Sequence, residues 1–379
     1  MAAAWTPAVS SPHGMLDTVL EEAVRLEASH LHLTPGAAGS GLAFRIGGLI
    51  HPFRELRQEE GALLAREILI GAELVPNAPF PQRGELRWRG GRIDVFSLPV
   101  IDGARLVLRR EPGTGAARGL DALGAAPVLA QDLRVAVATG GLLLVAAPAG
   151  NGRSTTLRTL LALAASRTRP ALAIASGAEK LTGVTWADPA PGTVAETARA
   201  AIEQDFDVLL IDSITDRPEA AAAMHAAQSG RLVLAGVEAP NAVAAIQQLR
   251  TWRVEAFQLA SSLNMVVAQR LVRRLCPACR EPVQASGSVS ALLGFDPGAI
   301  VYAPAGCPVC DETGFAGETA VFESIRGDAT IRRLINDGGD AAILARHAFI
   351  STPNLGSAAR ALARTGVTTP EEAVRISRG

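Results

Sequence analysis

The chain has 379 residues, 48% hydrophobic, 4% aromatic and 19% charged, with a formal net charge of −1 at pH 7. That length implies two or three domains of ordinary size, and the near-neutral charge excludes a global electrostatic pull toward nucleic acid or anionic lipid. No stretch approaches the roughly 20 uninterrupted apolar residues that cross a bilayer. The start, Met1-Ala2-Ala3-Ala4-Trp5-Thr6-Pro7, lacks the basic region and apolar run of a signal peptide, so a cytoplasmic location is expected.

Residues 15–29 carry apolar positions at helical spacing and predict an amphipathic helix. Short strand-like runs follow at His30–Leu33, Leu42–Ile46, Gly84–Trp88 and Gly91–Phe96, with glycines at 47–48 and 90–91 as hairpin turns. Residues 1–110 therefore read as a small α+β domain ending in the strand Arg105–Arg109. Glu111-Pro112-Gly113-Thr114-Gly115 opens a linker over 111–130.

Beyond it the pattern becomes alternating strand and helix, the mark of a parallel sheet covered on both faces. Strands are expected at Leu142–Ala146, Ala171–Ala175, Val208–Ile211 and Leu232–Ala235, with a helix over Ser154–Ala165. The first strand runs into a loop with the outline of a phosphate-binding P-loop. A loop of the form G-x-x-x-x-G-K-[ST] wraps phosphates with backbone N–H groups, sends an ammonium to the β/γ oxygens and offers a hydroxyl to Mg²⁺. Gly150, Gly152, Ser154 and Thr155 fit, but Ala147 stands at the first glycine and Arg153 at the lysine. A planar guanidinium does not substitute for a slim point charge. A chain-wide bias offers a plainer account, since Lys180 is the only lysine in the sequence. Four apolar residues followed by Asp212 match the acidic position that holds the Mg²⁺ shell in P-loop proteins.

All four cysteines fall in two pairs, Cys276-Pro277-Ala278-Cys279 and Cys307-Pro308-Val309-Cys310. Two C-x-x-C knuckles predict tetrahedral thiolate ligation of one structural Zn²⁺, with disulfides or idle thiols as the alternatives. The expected layout is thus a RecA-like P-loop core over 131–275, a zinc-binding tetracysteine segment over 276–325 and a helical part over 326–379.

These residues resemble the secretion ATPase superfamily of type II secretion and type IV pilus assembly motors from about residue 15 to the C-terminus. Ala28-Ser29-His30-Leu31-His32-Leu33 is similar to the family's A-S-D-I-H-I, and Phe44-Arg45-Ile46-Gly47-Gly48 to its R-I-D-G turn. Ser97–Gly103 resembles its T-L-P-T segment, with Arg105 and Arg109 following in register as nucleotide-binding candidates. Leu259–Leu263 and Val266–Cys276 are similar almost letter for letter. The cysteines and Thr313–Glu323 point to the assembly or export branch. The resemblance implies a PAS-like N-terminal domain and a hexameric ring at the cytoplasmic face of the inner membrane, nucleotide between the two domains, and contacts with membrane platform proteins. The further N-terminal domain that docks larger members to that platform has no expected counterpart here.

The resemblance breaks at the chemistry. The family's acidic box E-D-P becomes Ala175-Ser176-Gly177, and G-E-I-R-D becomes Asp212-Ser213-Ile214-Thr215-Asp216, so Ser213 replaces the implied catalytic carboxylate. The histidine box S-T-L-H-T-N-D becomes Ala235-Gly236-Val237-Glu238-Ala239-Pro240-Asn241, with Glu238 a candidate substitute carboxylate. Asp94 stands where an arginine would reach a neighbour's phosphates. A serine neither accepts a proton usefully near neutral pH nor orients water as a carboxylate does. The resulting expectation is a pseudo-ATPase subunit, possessing zinc and retaining ATP and Mg²⁺ at most as ligands, in a homo- or hetero-hexamer with active paralogues. The alternative is an active motor with an atypical loop. His30, His32 and His51 read as strand and turn residues rather than metal ligands. Arg270, Arg273 and Arg274 lack interleaved aromatics and read as packing or subunit contacts rather than a nucleic-acid surface.

Overall fold

The computed structural model describes residues 14–46, 49–89, 91–110, 119–175, 181–187, 193–296 and 298–378. The chain divides into two compact units, Met1–Thr114 and Gly115–Gly379.

In the first unit α1 (Met15–Arg25) precedes β1 (His30–Gly36), β2 (Gly39–Ile46) and β3 (Leu49–Arg57). Then come α2 (Gln58–Gly71), β4 (Gln82–Trp88), β5 (Gly91–Val100) and β6 (Gly103–Arg110). The strands form one antiparallel sheet in the order β3-β2-β1-β6-β5-β4. One sheet face, with Leu31, Leu33, Phe44, Val95, Leu106 and Leu108, buries against Val19 and Leu20 of α1 and Leu64 and Ile68 of α2. Alternation sends His30, His32, Arg45, Arg105 and Arg109 to the opposite face. The helix α2, whose Glu60 accepts the Arg57 backbone N–H at 3.1 Å, lies where sequence reading placed no element.

The second unit opens with α3 (Pro127–Thr139), β7 (Gly141–Ala146) and α4 (Arg153–Ala164). It continues through β8 (Ala171–Ile174), β9 (Val184–Ala187), α5 (Val194–Glu203), β10 (Val208–Ile214), α6 (Arg217–Gln228) and β11 (Leu232–Val237). Next are α7 (Ala242–Thr251), α8 (Ala256–Ser262), β12 (Leu263–Leu275), β13 (Arg280–Gln284), α9 (Gly287–Leu293), β14 (Ile300–Pro304) and β15 (Phe315–Arg326). The helices α10 (Ala329–Asn336), α11 (Ala341–Ala348), α12 (Leu355–Arg364) and α13 (Pro370–Arg378) finish it.

The main sheet has the order β15-β12-β7-β11-β10-β8-β9, parallel except for the antiparallel edge strand β15. Both faces are buried, which explains why its central strands read as unbroken apolar runs. Leu142, Leu144 and Ala146 of β7 face the core beneath α5–α8, and Leu143 and Val145 face the core beneath α3 and α4. Most of residues 315–325, grouped above with the cysteine segment, run as β15 against β12. A smaller core joins Val272 and Val321 to α9, α12 and α13 through Leu293, Leu355, Ala359 and Ile376. Buried Glu323 of β15 accepts the backbone N–H of Ala242 at 2.7 Å and of Leu355 at 2.8 Å, so one carboxylate serves the first turns of both α7 and α12. Burial pushes its carboxyl above the usual range against the pull of those two N–H groups.

Candidate functional site

The C-terminal ends of β7, β10 and β11 gather the loop 147–152, Asp212, Ser213, Gly236 and Glu238 at one edge of the parallel sheet, where ligands bind in open α/β folds. Gly150 and Gly152 hold φ of +76° and +77°, a conformation that disfavours side chains, and the second leads directly into α4. A Cβ at Gly152 would also lie 3.0 Å from Gln269 Nε2.

The loop is pinned from β12. Gln269 Nε2 donates to the Asn151 carbonyl at 2.6 Å, and its Oε1 accepts from buried Thr156 Oγ1 at 2.6 Å. The backbone N–H of Leu271 donates to Asn151 Oδ1 at 3.0 Å, while Asn151 Nδ2 donates to the Ala149 carbonyl at 3.2 Å. Ala147 N–H donates to the Val237 carbonyl at 3.3 Å, tying the loop's start to β11. The frame of a phosphate loop therefore stands without any of the replaced catalytic groups. Sequence reading assigned no role to Gln269 or Asn151; the signal was the near letter-for-letter segment containing Gln269.

Arg153 is the first residue of α4 and its side chain extends to the end of β10, where Nη2 donates to Ser213 Oγ at 3.3 Å. Its Nε is buried without a partner. Ser154, Thr155 and Asp212 are partly buried and Glu238 is exposed. Ala175 is buried at the end of β8, while Ser176 and Lys180 lie outside the described residues. Two positions within the altered boxes have a structural role. Asp216 caps α6 by accepting the Glu219 N–H at 2.9 Å, and Asn241 caps α7 by accepting the Ala244 N–H at 2.8 Å.

In the first unit, strand register sets Asp94 opposite Arg109. Arg109 Nη2 donates to Asp94 Oδ2 at 2.6 Å, with Arg83 a further 3.7 Å partner. The charge reversal at position 94 therefore engages a predicted nucleotide-binding arginine inside its own unit. Arg105 is exposed. His30 is held down to about 4 by burial and by His32, Arg45 and Arg109, and His32 is lowered by burial, Arg45 and Arg105. Both histidines are thus neutral near pH 7, as strand residues among cations should be.

The four cysteines meet at one place. Their sulfurs lie within 4.8 Å of one another, with Sγ–Sγ separations of 3.9 Å for Cys276–Cys307, 3.7 Å for Cys279–Cys310 and 3.7 Å for Cys307–Cys310. No disulfide joins any of the four in this structure. Four thiolates at about 2.3 Å from a tetrahedral zinc sit about 3.8 Å apart, so the donor set fits that ion. The Gly314 N–H donates to Cys310 Sγ at 3.2 Å. Burial opposes ionisation of Cys310, but hydrogen bonding with Cys307, Gly314 and Cys279 outweighs it and holds this thiol at about 7. Burial and its neighbouring thiols push Cys279 up to about 12.

Residues 10–375 match the family described as Type II/IV secretion system protein. Over 96% of its length the chain is 35% identical to the Type II secretion system protein E of Pseudomonas aeruginosa, of which it covers 75%. It is 30% identical to the Type II secretion system ATPase E of Vibrio cholerae, over 96% of this chain and 75% of that protein. In three dimensions it is similar to the pilus retraction motor PilT with bound ADP, at a TM-score of 0.63 and 20% identity over 96% of this chain and 97% of that one. It is likewise similar to the Legionella pneumophila ATPase DotB, at a TM-score of 0.67 and 17% identity over 98% of this chain and 97% of that one. The fold is accordingly a RecA-like P-loop unit carrying a tetracysteine insertion and a helical C-terminal part, preceded by an α+β unit. No helix among the described residues is long and apolar enough to cross a membrane.

Proposed function

Because the chain belongs to the type II/IV secretion system protein family, we propose that it is a nucleotide-binding subunit of a type II secretion or type IV pilus-like machine that turns over little or no ATP. The observation that carries this reading is the hydrogen bond between Arg153 and Ser213. A guanidinium and a hydroxyl stand where hydrolysis calls for an ammonium and a carboxylate, while the loop that cradles phosphate keeps its shape. Backbone N–H groups at the start of α4 bind the phosphates, and the Ser154 hydroxyl and Asp212 are the groups suited to magnesium and its water shell. Ser213 and Ala175 carry no carboxylate, and Glu238, the one that remains in the set, is exposed. Losing several phosphoryl-transfer elements together lowers turnover by several powers of ten. The cysteine cluster holds one structural zinc, which supplies folding stability rather than catalysis. The subunit works at the cytoplasmic face of the inner membrane, in a hexamer with itself or with active paralogues, against membrane platform proteins.

The intact loop and Asp212 also support a second reading, an active hexameric motor with an atypical phosphate loop. ATP hydrolysis by purified protein separates the two. The expected rate equals that of a Ser154→Ala control; steady turnover well above that control overturns the first reading in favour of the motor.

A further inference from the structure

We infer that Gly236 is a positioning residue for Arg153, and that the guanidinium so held lets the loop bind a nucleoside di- or triphosphate without a divalent cation. This rests on the reading of the loop as a nucleotide site and deepens it.

Arg153 leaves the first turn of α4 and crosses the end of β11 to reach Ser213. Its path exists because position 236 has no side chain. A Cβ there would lie 2.9 Å from Arg153 Nε and 3.0 Å from Cδ. Any larger residue pushes the stem aside, including the threonine found at this place in the resembling histidine box. The same Cβ would lie 2.1 Å from the Asp212 carbonyl, which the irregular β10–β11 register between Ile211 and Ile214 brings close. Glycine at 236 therefore leaves room for both the Asp212 carbonyl and the Arg153 stem.

The consequence is electrostatic. The guanidinium is anchored at Ser213, the residue after Asp212 in β10, so a fixed positive charge stands at the strand end that would carry a magnesium shell. A cation already held at that strand end opposes the entry of a second one. Meanwhile Arg153 Nε is buried with no partner. An unsatisfied buried donor is costly, and an incoming oxyanion relieves it. A guanidinium offers two parallel donors to a phosphate, so one fork supplies charge that an ammonium and a metal ion otherwise share.

The test is ADP binding to the purified full chain by calorimetry, in EDTA and again in excess Mg²⁺. For the unaltered protein the two dissociation constants should agree within about threefold, a difference under ~1 kcal/mol. Arg153→Lys should bind about tenfold more weakly in EDTA and recover with Mg²⁺. Gly236→Ala should show the same metal-dependent pattern. Because Gly236→Ala also crowds the Asp212 carbonyl, Ser213→Ala serves as the variant with no steric burden; it should weaken binding in EDTA and regain it with Mg²⁺. Mg²⁺ tightening the unaltered protein tenfold or more overturns the inference and leaves the nucleotide reading standing. So does metal-free affinity that survives in Arg153→Lys and Ser213→Ala. Absence of ADP binding under both conditions overturns the nucleotide reading as well.

Discussion

In the cysteine cluster the atoms that would bind the ion also hold the two turns together, whereas in the loop 147–152 the side chains that fix the backbone are not the candidate ligand groups. Gln269, Asn151 and Thr156 lock the loop from behind. Arg153 and Ser213 bond to each other, and Glu238 is exposed, none of them holding the loop. The difference decides what each site tolerates. A ligand cysteine cannot change without the local fold changing, but the loop's chemical rim can be replaced while its frame persists. The caps Asp216 and Asn241 show the same division within the altered boxes, since these two positions start α6 and α7 while Ser213 and Glu238 cap no helix.

The largest effect should come from Cys276→Ser. Cys276 is buried at the end of β12, and its backbone N–H donates to the Gly314 carbonyl at 3.0 Å, so the sulfur joins two turns already in contact. Removing one of four thiolates sacrifices most of the metal-binding free energy that supports this segment, a destabilisation on the order of 4 kcal/mol. Metal content should fall from one zinc per chain to none. Amide exchange should quicken across β13 and β14 while β7, β10 and β11 stay protected. Full protection of β13 and β14 in metal-free protein breaks the comparison at its first half.

Gln269→Ala should come next. It strips the partner from Thr156 Oγ1, a residue only 1% exposed, and from the Asn151 carbonyl. Orphaned buried polar groups cost about 1–3 kcal/mol, readable in urea unfolding. ADP affinity should fall as well, because the loop loses its fixed shape. Normal stability with normal ADP affinity would show that the frame is held elsewhere.

The frame and the rim were unequally legible in the sequence, for physical reasons. The strands β7, β8, β10 and β11 announce themselves as apolar runs because both sheet faces are covered. The cysteine cluster announces itself because each C-x-x-C turn presents two sulfurs to one point. Gln269 carried no comparable signal, since it stands 118 residues from Asn151 and only the parallel pairing of β12 with β7 brings them together. The β12–β15 pairing was hidden in the same way, and residues 315–325 were grouped by proximity to Cys310. Gly236 was legible as a changed box but not as room for Arg153, because that room depends on a backbone irregularity in the neighbouring strand. Asp94 was legible as a reversed charge, and only register revealed Arg109 as its partner. The helix α2 was missed although Leu64 and Ile68 sit one turn apart on its buried face.

The smallest effect sharpens the comparison most, because it contrasts two residues three positions apart. Ser213→Ala removes a 3.3 Å hydrogen bond between partly exposed groups, and water can replace the lost oxygen for Arg153. Stability should change by no more than about 0.5 kcal/mol. Asp216→Ala removes the N-cap of α6 and should cost about 1 kcal/mol although Asp216 is exposed. Measured by urea unfolding under identical conditions, the cap should therefore outrank the rim residue. The reverse order would mean that the Arg153–Ser213 contact holds the end of β10 in place, and the replaced chemistry would then be part of the frame rather than mounted on it.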